Sequence, residues 1–304
     1  MRIAVTGATG FVGRYIVAHL TRAGHRVVAW RRPSSDVEGL PEGIDWVRGG
    51  LGDEPSAREL LAEADAVVHA ALDRPGEGFR GAEGDVLEFV ERNVLGTLRL
   101  MEAARERRVG RFVFISSCAV HDVILPDRPL DETHPTWSSN HYGAHKAAIE
   151  AFVGAYGLGG TLPVCALRPS GVYGLEHRVE RSKWYGLVRD VAAGRPVDCR
   201  RGGKEVHAAD VARAVEVLLE APEGEVSGRM FNCCDRYVSD HEVAHLAKRL
   251  SGAGGPITGE RTSPRNQIVT DRIQGLGMRF GGEPLLEKTI AGLVEAARSG
   301  SGSG

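Results

Sequence analysis

The chain has 304 residues, 42% hydrophobic and 26% charged, with a formal net charge of −2 at pH 7. That length supports one large domain or two modest ones with a real core, and the near-neutral balance gives no electrostatic footprint for nucleic acid or an anionic membrane surface. No apolar run reaches membrane-spanning length, and the opening MRIAVTG enters a strand pattern without the regions of a signal peptide.

In chain order, Arg2–Thr6 (RIAVT) is a short apolar run suited to a buried strand. A glycine-rich turn follows, and Ile16, Val17 and Leu20 recur at helical spacing up to a stop at Gly24. Residues 26–30 form a second strand, 57–62 a helix, and Ala66–His69 a third strand. A long helical stretch is expected over 86–107, then a strand over 111–116, a helix over 141–156 and a strand over 164–167. This alternation predicts an α/β fold, a doubly wound parallel sheet of the Rossmann type. Beyond residue 170 the pattern loosens, with helices over 182–193, 211–219, 241–250 and 285–298. The expected division is a dinucleotide-binding domain over 1–170, to which 204–221 returns, and a smaller C-terminal substrate domain over 171–298. Residues 299–304, in the SGSGSG ending, read as a linker remnant.

Three features carry chemistry. Gly7, Gly10 and Gly13 in TGATGFVG fall between the first strand and first helix. Glycines there allow a tight turn and close backbone approach, and the helix N-terminus offers unpaired N–H groups, which together make a pyrophosphate cradle. The spacing is G-x-x-G-x-x-G, one residue longer than the usual dinucleotide fingerprint. In HYGAHK, Tyr142 and Lys146 lie one helical turn apart and project from one face, as a catalytic pair or as an ordinary amphipathic surface. The second strand runs into Arg31-Arg32 where an NAD-preferring fold often places an acid; two guanidiniums there suit a 2′-phosphate, or are simply solvated. Cys118, Cys165, Cys199, Cys233 and Cys234 show no CxxC spacing and read as reduced thiols of a cytoplasmic protein. The eleven histidines read as scattered, none at zinc spacing from another ligand type, and no metal is expected.

TGATGFVG is similar to the TGxxGxxG of the short-chain dehydrogenase/reductases, and the length suits their extended branch, the NAD-dependent epimerase/dehydratase family. Further matches follow in order: His69-Ala70-Ala71, Asn93 in NVLGT, Ser116-Ser117, YxxxK at Tyr142 and Lys146, LRPSGVYG at 167–174 and VHAADVA at 206–212. The resemblance runs to about residue 295. It implies Tyr142 as acid/base, Lys146 as its tuner and ribose ligand, Ser117 as holder of the substrate oxygen, and Asn93 as support for the lysine. It also implies cofactor contacts from Gly7, Gly10, Phe11, Val12, Gly13, Arg31, Arg32, Gly50, Leu51, Ala70, Ala71, Asn93, Tyr142, Lys146, Pro169, Ser170 and Val172. NADP is the expected cofactor, with NAD as the alternative. A homodimer through the two long helices is implied as well.

Three positions depart from the nucleotide-sugar members. His121 stands for tyrosine in S-x-x-V-Y, Gly171 for the asparagine of RPxN, and Gly203 for the arginine beside a substrate diphosphate. Arg178, Arg181, Lys183, Arg200 and Arg201 make either an anion-friendly pocket or a solvated face. The expected function is an NAD(P)-dependent oxidoreductase acting by hydride transfer on a small hydroxyl- or carbonyl-bearing substrate. The rivals are a nucleotide-sugar epimerase or dehydratase with retained NAD, and a non-catalytic NADP-sensing protein.

Overall fold

The computed structural model describes residues 1–74 and 84–300, so the last four residues of the expected linker lie outside it. Contacts divide the chain into two compact units: Met1–Ser170 with Val211–Cys233 and Val269–Met278, and Gly171–Asp210 with Cys234–Ile268 and Arg279–Gly304. No helix among the described residues is long and apolar enough to cross a membrane.

The first unit is built on β1 (Arg2–Thr6), β2 (Arg26–Arg31), β3 (Asp45–Arg48), β4 (Ala66–His69), β5 (Arg111–Ile115) and β6 (Val164–Pro169). The short strands β7 (Gly171–Tyr173), β8 (Val197–Asp198) and β9 (Gly202–His207) follow, and β10 (Met230–Cys233) returns to the main sheet. Its order is β3-β2-β1-β4-β5-β6-β10, parallel throughout. This is the doubly wound sheet expected from the sequence. Strands β4, β5 and β6 are buried at every residue, because helices cover both faces, and so they read as continuous apolar runs. The order reverses between β1 and β4, and ligands of such sheets bind in the crevice outside the strand ends at that switch.

Helices α1 (Phe11–Arg22), α2 (Glu54–Leu60), α3 (Val86–Val90), α4 (Gly96–Glu106) and α5 (His141–Leu158) belong to this unit. The long helical stretch expected over 86–107 contains a π-helical segment, Glu91–Leu95, which joins α3 to α4. Hydrophobic spacing averages over one added residue and therefore did not reveal it.

In the second unit, β7 pairs in parallel with β9, and β11 (Arg236–Ser239) pairs antiparallel with β9. Strand β8 pairs with β12 (Ile257–Thr258). The helices are α6 (Tyr185–Ala192), the start of α7 (Ala208–Glu220), α9 (Asp240–Ser251) and α11 (Gly282–Gly300). The short α8 (Glu223–Val226) and α10 (Asp271–Gly275) fall in the first unit. Tyr173, Val188, Val238, Leu286, Ile290 and Leu293 are buried together in this second core.

Candidate active site

The glycine turn has separable steric causes. Gly7 takes φ +73°, and a Cβ there would lie 2.6 Å from the carbonyl carbon of Ala70, so the turn after β1 presses on the segment after β4. A Cβ on Gly13 would lie 2.0 Å from the Gly7 carbonyl oxygen. Gly10 differs: its Cβ would meet only that same oxygen, at 3.3 Å, so its bare face is not filled by protein. Gly10 is also the N-cap of α1, with no side-chain cap and no acid in the first turn. The N–H groups at Phe11, Val12 and Gly13 thus lie at an uncapped, electropositive helix end. A dinucleotide pyrophosphate fits this cradle.

Ala70 and Ala71 are held by a chain of hydrogen bonds. The Ala71 N–H donates to Thr6 Oγ1 (3.2 Å), which lies 2.6 Å from His69 Nδ1. On the other side, His69 Nε2 lies 2.8 Å from Thr97 Oγ1, whose hydroxyl donates to the Asn93 carbonyl (2.6 Å). Thr97 therefore accepts from His69, which is the neutral Nε2–H tautomer and accepts from Thr6 at Nδ1. Burial, helped by Lys146, lowers the His69 pKa to about 3. Asn93 lies in the π-helical segment. Its Oδ1 accepts from the Asp73 N–H (2.8 Å), and its Nδ2 donates to the Asp73 carbonyl (2.8 Å) and the Phe89 carbonyl (3.0 Å). These bonds fasten the segment after β4 to the helix.

Tyr142 and Lys146 lie in the first two turns of α5 and are both buried, at 8% and 5% exposure. Asn140 caps the helix by accepting from the Gly143 N–H (2.8 Å), and its own amide donates to Asp122 (2.6 Å). The glycine between tyrosine and lysine is required: a Cβ at Gly143 would lie 2.4 Å from the Ala119 carbonyl oxygen. Ser117, half-buried at the end of β5, caps the turn 118–120 by accepting from the Ala119 N–H (3.1 Å). The helix start and the serine turn are thus packed backbone to backbone.

The Lys146 ammonium donates to the Ile115 carbonyl (2.8 Å) and lies 4.6 Å from the Phe114 ring centroid. Burial lowers its pKa to about 7, against the opposing pull of Glu150. One turn further along α5, Glu150 accepts from Ser116 Oγ (2.6 Å) and forms a buried two-point pair with Arg168. Arg168 Nη1 lies 3.2 Å from His121 Nε2. Since arginine only donates, His121 accepts there and is neutral, with Nδ1 donating to the Pro135 carbonyl (3.1 Å). Burial, with Arg168 nearby, lowers its pKa to about 4. Thr6, Thr97, Glu150 and Arg168 were not singled out from the sequence. Only Glu150 carried a signal there, its i+4 spacing from Lys146.

Other expected cofactor residues lie at strand ends. Arg31 ends β2 and Arg32 follows it, both exposed, with Arg32 3.8 Å from Asp73. Gly50 and Leu51 follow β3, with Leu51 packed on the main core. Pro169 ends β6, and the Ser170 N–H donates to the Cys233 carbonyl (3.0 Å). Val172 lies on β7 in the second unit.

Also in the second unit, Glu205 on β9 is 3% exposed and ion-paired with Lys183. A Cβ on Gly171 would lie 2.5 Å from Glu205 Oε2, and one on Gly203 would lie 2.4 Å from Oε1. The two glycines that depart from the nucleotide-sugar pattern both make room for this carboxylate. Burial raises its pKa, against the lowering pull of Lys183. Of the five basic residues considered as an anion pocket, Lys183 is thus paired with Glu205, and Arg200 is paired with Asp198 (2.7 Å). His207 is satisfied: Nδ1 accepts from the Ala209 N–H (3.0 Å), and Nε2 lies 3.1 Å from Thr289 Oγ1.

The profile of the NAD dependent epimerase/dehydratase family matches residues 3–234. A UDP-glucose 4-epimerase of Rhizobium leguminosarum bv. trifolii is 31% identical over 248 residues, 72% of this chain and 73% of that protein. A 2-alkyl-3-oxoalkanoate reductase of Stenotrophomonas maltophilia is 32% identical over 309 residues, 96% of this chain and 88% of that protein. The crystal structure of the Thermus thermophilus UDP-glucose 4-epimerase complex with NAD superimposes with a TM-score of 0.78 at 24% identity, covering 98% of this chain and 99% of that one.

Proposed function

The chain belongs to the NAD-dependent epimerase/dehydratase family, and on that premise we propose that it is an NADP-preferring oxidoreductase acting on a small, phosphate-free hydroxyl or carbonyl compound. The first unit holds the dinucleotide, and the second supplies substrate recognition. A bound nicotinamide dinucleotide supplies the hydride chemistry. Tyr142 moves the matching proton to or from the substrate oxygen. A phenol is a poor base at neutral pH, and the Lys146 ammonium beside it lowers the cost of the phenolate. Ser117 orients the substrate oxygen. Asn93 acts on the site indirectly, by fixing the segment after β4. Arg31 and Arg32 take the 2′-phosphate. The family pattern and the five cysteines, read as reduced thiols, support a cytoplasmic enzyme. A homodimer is supported by exposed apolar side chains on the two long helical stretches, among them Leu87, Leu95 and Phe152.

The observation that carries the substrate reading is Glu205. In relatives that bind a diphosphate, an asparagine and an arginine often stand at the positions of Gly171 and Gly203. Here neither position can take a side chain while Glu205 stays, and the nearest group is a carboxylate. Burying phosphate charge against it is unfavourable. The Stenotrophomonas reductase, aligned over almost the whole chain, supports the same direction. The Rhizobium epimerase favours the second reading, a nucleotide-sugar substrate. Thermal melting of the NADP-loaded protein with UDP or dTDP at about 1 mM separates the two, since a ligand at ten times its Kd adds about 1.4 kcal/mol. We expect no rise in Tm. A clear rise establishes the nucleotide-sugar reading. A substrate screen following nicotinamide absorbance, with both cofactors, then tests for net turnover. Intact Tyr142 and Lys146 argue against a purely sensing role.

A further inference from the structure

In the first unit, the C-terminal ends of α1 and α7 meet. His19 lies in the last turn of α1, and His25 immediately precedes β2. From α7 come Glu216 and, one turn later, Glu220, the last residue of that helix. All four residues belong to the first unit. One ligand atom each from His25, Glu216 and Glu220 lies within 4.8 Å of the other two. Spacing along the chain could not reveal this group, because the histidine and the carboxylates are far apart in sequence.

Three observations point to a cation. His25 Nε2 is a buried atom without a hydrogen-bond partner. It lies 3.9 Å from Glu216 Oε1, too far for a hydrogen bond. That gap is close to the span of two ligands on one metal, since bonds of about 2.0–2.2 Å set tetrahedral ligands about 3.4 Å apart. Secondly, α7 ends on Glu216 and Glu220 with no basic residue in its last turn. The carboxylates repel each other at i, i+4 and stand at the negative end of the helix dipole, and a cation relieves both penalties. Thirdly, the other oxygen of Glu216, Oε2, accepts from His19 Nε2 (2.7 Å), which fixes the carboxylate as outer partners fix the ligands of a metal.

We propose that His25 Nε2, Glu216 Oε1 and the Glu220 carboxylate hold a zinc-class divalent cation, with water completing the shell. One imidazole and two carboxylates suit zinc, and the imidazole disfavours magnesium, which prefers oxygen ligands. His25 Nδ1 then carries the ring proton, and the Met1 amino group, 3.4 Å away, accepts it when unprotonated. Helix α1 has 12 residues, so the site stands about 18 Å from the glycine cradle at the other end of that helix. The ion is a clamp between the α1–β2 turn and α7, and it takes no part in hydride transfer.

The test is calorimetric titration of the metal-stripped full chain with zinc chloride under reducing conditions, repeated with magnesium chloride, with thermal melting alongside. We expect one zinc site of micromolar affinity, a rise in Tm with zinc, and far weaker binding of magnesium. His25→Gln and Glu220→Gln should each weaken zinc at least about tenfold. Glu220 is exposed, so its variant keeps the fold, and circular dichroism checks the histidine variant. The control is a His241→Ala/His245→Ala double variant, because those two rings lie 4.4 Å apart on α9 and offer zinc an alternative; it should bind as the wild type does. Zinc binding that needs millimolar metal overturns the proposal. So does binding that survives in a His25→Gln/Glu220→Gln double variant, binding that is lost in the α9 control, or magnesium held as tightly as zinc.

Discussion

Lys146→Met should stabilise the protein in the absence of cofactor while abolishing its chemistry. The lysine is buried at 5% exposure, and its pKa falls from 10.5 to about 7. At about 1.4 kcal/mol per unit, this corresponds to an order of 5 kcal/mol lost at neutral pH relative to a group that kept its ordinary pKa. Methionine keeps the stem and removes that cost. It also forfeits the bond to the Ile115 carbonyl, worth about 1–1.5 kcal/mol. A net gain of about 3–4 kcal/mol at pH 7 remains. The pH dependence has a definite sign. Between pH 7 and 10.5 the unfolded lysine binds a proton that the folded one has released, so wild-type stability rises with pH across that window. The penalty is fully present below pH 7. The gap between variant and wild type should therefore narrow by about 2–3 kcal/mol from pH 7 to pH 9. Urea denaturation of both proteins without cofactor, at the two pH values, measures this. A methionine variant less stable than wild type at pH 7, or a gap that ignores pH, refutes the reasoning.

Tyr142→Phe keeps the ring and loses the proton. We expect kcat to fall at least about a hundredfold while dinucleotide affinity, measured by fluorescence titration, stays close to wild type; near-normal turnover ends the proposed mechanism. Arg31→Asp, alone or with Arg32→Ala, should weaken NADPH about ten- to a hundredfold more than NADH, the scale of one lost charge-assisted contact; wild-type protein that binds the two equally well removes the basis of the cofactor assignment. Phe152→Glu places a charge on the exposed apolar surface of α5, and size-exclusion chromatography with light scattering should show monomers where the wild type gives dimers. A variant that still runs as a dimer places the interface elsewhere.

Much of the first unit was legible because its strands are buried on both faces and its helices alternate with them. Arg2–Thr6 and Ala66–His69 match the structure residue for residue. The missed strands lack that signal. β3 is only four residues, DWVR, with polar ends, and the strands of the second unit are two to six residues long. Their pairing depends on partners distant in sequence. The same holds at the candidate site. Tyr142 and Lys146 show the spacing of one helical turn, and the family resemblance, not the spacing alone, reads them as a catalytic pair. The pairing of Glu150 with Arg168 joins a helix to a strand that follows it, and only the fold brings them together. Glu205 lies in GGKEVH, where nothing local distinguishes a buried carboxylate from a solvated one. Asn93 was expected to support Lys146, but its bonds run to Asp73 and Phe89, which only the position of the segment after β4 reveals.

The π-helical segment between α3 and α4 ties part of the site to the length of the chain instead of to any side chain. A wide turn of this kind acts as one extra residue in an otherwise regular helix, and each helical residue turns the chain by about 100°. Deleting a single residue from Glu91–Leu95 would restore an unbroken helix of ordinary composition. Everything on its N-terminal side would then be rotated by that angle relative to Thr97, and Phe89 and Asn93 would no longer both face Asp73. No point substitution reproduces that displacement, and none reverses it. A descendant that lost the residue would keep its glycine turn, its tyrosine and its lysine, yet the clasp behind Ala70 and Ala71 would be open.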